Sequence, residues 1–168
     1  MTKPMIRLSR PTDINTLVAL DLKTYNYPLS MEDWKVLVHG SGKKKEPRVV
    51  LLELMGKPVG FCMWQDREPE EGQKELVADL LRVGIVPGYR NRSLGRLMVD
   101  RCAEECNRNR LDKIRVLVPE VHCVPDDPDN IVGFLNKVDF FPTGEIVEDF
   151  KVMYGDLVDA FVFERKLF

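Results

Sequence analysis

Apolar positions recur along the chain with two different periods, and the alternation between them sets out the elements. Met5 to Leu8 predicts a short strand. Pro11-Thr12-Asp13 then opens a helix, with Thr12 or Asp13 as cap and Ile14, Leu17, Val18, Leu20 and Leu22 as its apolar stripe. After a loop at 25–29, Ser30 with Asp33 three residues on is an imperfect capping box, and Trp34, Leu37 and Val38 follow at helical spacing. Val49 to Met55 and Val59 to Trp64 are two apolar runs around a Gly56-Lys57-Pro58 turn, which predicts a hairpin. Leu76 to Val86 is a longer strand, broken by Pro87-Gly88.

A helix is expected over Ser93 to Asn109, with Leu94, Leu97, Met98, Cys102 and Cys106 on one face. Lys113 to Val118 predicts another strand, Asp129 or Asn130 caps a helix to about Val138, and strands near Gly144–Val147 and Ala160–Leu167 close the chain. Helices between groups of strands imply an α/β or α+β sheet with helices on its faces.

The 168 residues fit a single domain over 1–168, with 44% apolar and 31% charged residues. A formal net charge of −2 argues against a nucleic-acid wrapper. No apolar segment of spanning length and no leader-like opening occur, so a cytoplasmic protein with no membrane partner is expected. Cys62, Cys102, Cys106 and Cys123 form no CxxC pair, and His122-Cys123 has no further His or Cys at ligand spacing, so no metal is expected. Lys43-Lys44-Lys45 reads as a solvated loop, Glu68 to Glu71 as an acidic surface loop, and Trp34 and Trp64 as core.

The candidate chemistry lies in Val83 to Arg96, where a strand passes through a turn directly into a helix. The first helical turn offers unpaired N–H groups and partial positive charge, which suit a phosphate. Arg90, Arg92 and Arg96 surround the turn, and Gly95 leaves the backbone open to a ligand. A plain turn with a solvated basic rim fits the same residues. Neither GxxxxGK[ST] nor GxGxxG is present, which excludes a P-loop and a dinucleotide fingerprint.

The segment VGIVPGYRNRSLGRLMV resembles the coenzyme A-binding motif of the GNAT superfamily, in which V-x-P-x-Y-R runs into R/Q-x-x-G-x-G/A. Arg90, Leu94 and Gly95 match, and Ser93 takes the place of the middle glycine, tolerable if its backbone is helical. IRLSRPTDINTLVALDLKTYNYPLSMEDWKVLV is similar to the N-terminal region of that family, more narrowly of bacterial ribosomal-protein N-terminal acetyltransferases. VGFLNKVDFF and MYGDLVDAFVFERKL resemble the family's fourth helix and closing strand.

The resemblance implies a mixed, mostly antiparallel sheet of six to seven strands with about four helices. It implies acetyl-CoA as co-substrate and transfer of the acetyl group to a primary amine: a protein N-terminus, a lysine or a small amine. The pantetheine arm would pair with Val83, Gly84 and Ile85, and the pyrophosphate would lie on Asn91, Arg92, Ser93, Leu94, Gly95 and Arg96 beside Arg90. A backbone N–H near Gly84 or Ile85 would face the developing oxyanion. Leu135 stands where the family's tyrosine acid is usual, and Asp139 where a glycine is usual. Glu120 is then the candidate base, and Tyr154 a candidate proton donor or acceptor-site residue. Tyr25 and Tyr27 would edge the acceptor cleft, and Asp79 is read as half exposed. A monomer or homodimer is expected. A non-catalytic acyl-CoA sensor, or a purely structural interaction domain, remains the alternative.

Overall fold

A computed structural model describes residues 3–25, 28–39, 47–151 and 157–167. Seven strands form one open sheet: β1 (Met5–Leu8), β2 (Arg48–Leu54), β3 (Lys57–Asp66), β4 (Val77–Ile85), β5 (Lys113–Pro119), β6 (Phe141–Lys151) and β7 (Leu157–Lys166). Their order is β1-β2-β3-β4-β5-β7-β6. Every neighbouring pair is antiparallel except β4 and β5, which run parallel. The helices are α1 (Ile14–Thr24), α2 (Met31–His39), α3 (Leu94–Arg108) and α4 (Ile131–Lys137). Among the described residues no helix is long and apolar enough to cross a membrane.

The central strands are apolar on both sides because each face of the sheet carries a layer of helix. Leu17, Leu20, Leu29 and Trp34 pack with Leu51, Phe61 and Met63 on the α1–α2 face. On the other face Leu94, Met98, Cys102, Leu135 and Phe140 pack with Leu52, Cys62, Trp64 and Leu80.

Several local expectations are corrected. Leu22 is exposed and Asp21 is buried, so the inward stripe of α1 carries a charge. Leu97 is also exposed rather than part of the α3 core face. The hairpin turn is the two-residue Met55-Gly56, both at positive φ, and β3 already starts at Lys57. Asn130 stands at the N-cap of α4 as expected, but its side chain makes no cap bond; the Asp127 carboxylate does so instead, accepting from the N–H groups of Asp129 and Ile131 at 3.3 and 3.2 Å. Ser30 and Asp33 do form the expected reciprocal box, at 3.2 and 3.1 Å.

Asp13 stands at the N-cap of α1, as one of the two expected caps, but its side chain makes no cap bond to the helix. Its carboxylate turns back to accept from the Arg10 N–H at 2.6 Å and from the Arg7 guanidinium at 2.8 and 2.9 Å, fastening β1 to the helix entry. These bonds, that from Arg7 foremost, hold the Asp13 carboxyl below its ordinary value against the opposing effect of burial. A depressed folded pKa means the contribution is complete above the unfolded value, near 3.8, and is lost as pH falls through the lower folded one. Asp13→Asn is therefore expected to cost about 1.5–3 kcal/mol at neutral pH. In urea denaturation over a pH series, the gap between wild type and variant should close in acid.

Candidate active site

The site is built from a mismatch between two strands. β4 pairs with β5 only from Val77↔Lys113 to Asp79↔Arg115, although both strands continue. The cause is visible on the opposite edge of β4. Trp64 pairs with Leu80 and Met63 with Arg82, so Leu81 is an extra residue and β4 bulges there. The bulge reverses the facing of the strand. Leu80 points into the α3 core, whereas Arg82, which an unbroken period of two would place beside it, reaches Asp21 on α1. Beyond the bulge β4 leaves β5, and a wedge opens between them.

The hydrogen-bond parity of β4 decides which backbone groups face that wedge. The Val86 N–H bonds to Val59 O at 2.9 Å, so Gly84 and Phe61 form a bonded pair and the Gly84 amide is turned to β3. Val83 and Ile85 therefore present their N–H and C=O to the wedge. The Val83 edge carries an internal partner: its N–H donates to the Tyr25 hydroxyl at 2.9 Å, and that hydroxyl donates to Val83 O at 2.7 Å. Ile85 O accepts from Arg90 Nε at 2.9 Å. Of the three residues assigned to the pantetheine arm, Ile85 thus presents its N–H to the opening, Val83 is tied to Tyr25 and Gly84 faces away. A Cβ at Gly84 would lie 2.6 Å from Phe61 and 2.8 Å from Thr24, so this glycine admits the end of α1 onto the sheet.

At the end of β4, Pro87–Tyr89 makes a single 3-10 turn and α3 begins at Leu94. Asn91 and Ser93 lie at φ 61° and 60°. The backbone at Ser93 is thus left-handed, not helical as expected, which explains why glycine suits the position. Left-handed residues next to a helix start turn successive N–H groups into a concave array that favours anions. The first-turn amides of α3 add to it. Ser93→Gly is expected to stabilise the fold by about 1 kcal/mol. Thermal melts would show a rise of roughly 2–4 °C, with no rise for Ser93→Ala.

The arginines hold the turn more than they face it. Arg90 curls back on Ile85, the Arg92 guanidinium lies 5.4 Å from the Tyr89 ring centroid, and Arg96 donates to Lys137 O and lies 3.8 Å from Asp139. Gly95 also has a packing reason: a Cβ there would sit 2.7 Å from the Phe134 ring, so the glycine lets α3 and α4 approach. At the end of α4, Phe140 N–H bonds to Leu135 O at 2.9 Å and Asp139 N–H to Asn136 O at 3.3 Å around a left-handed Asp139 (φ 67°), a Schellman closure built without glycine. Leu135 is buried in the core and brings no polar group to the cleft.

On the α1–α2 side lies a buried polar chain. The Arg82 guanidinium donates to Asp21 Oδ1 at 2.8 and 3.3 Å, while Asp21 Oδ2 accepts from Leu29 N–H at 2.7 Å and Trp34 Nε1 at 3.1 Å. Arg82 also stacks on the Tyr25 ring, 4.0 Å from its centroid. Sequence reading picked out Tyr25 but missed its two charged supports. The available signal was a lone arginine inside the apolar run 76–86 and an aspartate inside the stripe of α1.

The remaining candidates are dispersed. Glu120 is exposed and opens the 3-10 turn Glu120–His122 just past β5. His122 Nδ1 lies 3.2 Å from Asp127 and 3.8 Å from Asp129. Against burial, which raises it, His122 and the backbone amides of Ile131 and Asp129 hold the Asp127 carboxyl low, as its capping role requires. Asp79 is half-buried, its carboxyl raised by burial and countered by Arg67 at 3.4 Å. Tyr27 and Tyr154 lie outside the described residues.

The model of the family described as "Acetyltransferase (GNAT) family" matches residues 14–140. No protein of curated function matches the sequence. Among solved structures, the ribosomal-protein-S18-alanine N-acetyltransferase from Escherichia coli superposes with a TM-score of 0.70 at 14% identity, over 98% of this chain and 94% of that one. Arabidopsis thaliana NAA60 in complex with acetyl-CoA gives 0.74 at 12% identity over 98% of both chains. An N-acetyltransferase from Staphylococcus aureus Mu50 gives 0.74 at 13% identity over 99% of both.

Proposed function

The chain belongs to the GNAT acetyltransferase family, and on that footing we propose that it moves an acetyl group from acetyl-CoA to a primary amine by direct attack within a ternary complex. The observation that carries this reading is the wedge itself. β4 keeps a strand edge beyond its last pairing with β5, and that edge leads straight into the concave amides at Asn91 to Arg96. An extended ligand with a peptide-like arm and a phosphate end fits this succession of groups: an acceptor on the arm meets the Ile85 N–H, and the phosphates meet the backbone donors at the turn. At the phosphate end, left-handed Asn91 and Ser93 beside the start of α3 favour an anion.

In this reading the Ile85 N–H, on the wedge side of β4, polarises the acyl carbonyl. The amide donors of the turn and the positive charge of Arg92 hold the phosphates. Glu120, exposed just past the end of β5, takes a proton from the attacking amine, directly or through water. Tyr154 remains a candidate for lining the acceptor site. The structural neighbours that modify ribosomal-protein alanine, or that were crystallised with a bisubstrate analogue, favour a protein N-terminus as acceptor.

The test is transfer of labelled acetyl groups from acetyl-CoA to two peptide sets, one with free N-termini and one with blocked N-termini and free lysines. Label is expected on the first set. The buried Leu135 favours a second reading, a non-catalytic acyl-CoA sensor, which predicts saturable binding with no label on any amine.

A further inference from the structure

We propose that Tyr25 is the proton donor to the departing sulfur, supplied from the end of α1 in place of any group on α4. This role rests on the acetyl-transfer reading above. The Tyr25 hydroxyl is held on the wedge-facing edge of β4 by two bonds to one residue, Val83 N–H at 2.9 Å and Val83 O at 2.7 Å. Those are positions flanking the edge along which an extended ligand would lie. Leu135, buried in the core, supplies no proton from the facing helix.

The surroundings suit a phenol that must give up a proton and take it back. When the hydroxyl ionises, Val83 N–H already donates to its oxygen, and the Arg82 guanidinium lies 4.0 Å from the ring centroid. Arg82 is fixed by Asp21, and Asp21 by Leu29 N–H and Trp34 Nε1, so the cation cannot drift. A tyrosine that only filled space would need none of these supports. Burial raises the phenol above its ordinary value, with Arg82 opposing, so the group is fully protonated at neutral pH. The titratable and charged groups facing it are Arg82 on β4, Asp21 on α1 and Cys62 on β3.

The step balances. The amine nitrogen forms the new C–N bond and the C–S bond breaks with its electron pair on sulfur. Tyr25 gives its phenolic proton to that sulfur and regains one from the attacking amine through water or Glu120. The products are an amide and a thiol, with no other reactant needed.

Tyr25→Phe in the full chain tests the role, assayed on the best peptide acceptor and with acetyl-CoA binding followed by calorimetry. Expected are a fall in kcat of about 10²-fold, a KM for acetyl-CoA within about twofold of wild type, and loss of the alkaline limb of the kcat–pH profile. Site-specific 3-fluorotyrosine at position 25 keeps the hydroxyl, is nearly isosteric and is more acidic. It is expected to move that limb to lower pH, a change that packing alone would not produce. An unchanged kcat in Tyr25→Phe, or tighter acetyl-CoA binding with turnover retained, would overturn the role and make Tyr25 a mere seal on the Val83 edge. An alkaline limb unmoved by the fluorinated residue would also overturn it. Wild-type protein that binds acetyl-CoA but acetylates no amine would instead overturn the transferase reading, and this role with it.

Discussion

Asp21→Ala is expected to lower the stability of the fold by about 3–5 kcal/mol, because it removes the carboxylate of a buried ion pair. Asp21 is fully buried and Arg82 is 8% exposed, so neither has water to fall back on. The carboxylate serves three donors from three segments: Arg82 on β4, Leu29 N–H in the loop and Trp34 Nε1 on α2. Removing it takes an acceptor away from each of the three. Asp21→Asn retains an acceptor but loses the charge, and is expected to fall between. Equilibrium urea denaturation measures both, with the midpoint moving and the slope unchanged if unfolding stays cooperative. A loss under 1 kcal/mol for Asp21→Ala would mean that the ion pair contributes nothing beyond its own desolvation.

Trp34→Ala is expected to cost a similar amount, about 3–5 kcal/mol, for a different reason. The indole is fully buried and meets Phe61 edge-on, with ring centroids 5.5 Å apart at 85°. Truncation opens a cavity between α2 and the sheet that the α1–α2 layer is too thin to close. Trp34→Phe should recover much of the packing but not the bond to Asp21. Since Trp34 and Asp21 touch, the double variant should lose less than the two single losses combined. Additive losses in a denaturation-based double-mutant cycle would contradict the shared network.

Much of this architecture could be read from the chain. The alternation of helix and strand periods located the seven strands and four α-helices of the described residues, and the turn at Pro87-Gly88 marked the start of the site. The errors have a common physical origin. Leu22 and Leu97 are apolar residues that their helices leave exposed, while Asp21 is a charge that its helix buries. Hydrophobicity alone cannot see that Asp21 is matched by Arg82, 61 positions along the chain. The bulge at Leu81 was equally hidden, since it depends on pairing with β3, and it is the bulge that opens the wedge. Ser93 was read as helical because the helix period begins beside it, whereas its left-handed backbone follows from the turn. At Gly95 the sequence does not show the Phe134 ring, which a Cβ there would meet at 2.7 Å.

The closeness of Gly95 to the Phe134 ring also decides how cofactor binding should be probed. A bulky residue at Gly95 would displace Phe134 and loosen α4, so lost binding would not report on the site alone. Arg92→Glu is the cleaner variant, because its side chain lies exposed on Tyr89 at the turn. Calorimetric titration of acetyl-CoA into the wild-type protein is the most direct measurement. Saturable binding of one molecule per chain is expected, weakened roughly tenfold by Arg92→Glu at low salt, with the difference shrinking as salt is added. Absence of binding to the wild-type protein would contradict both the transferase and the sensor readings of the wedge.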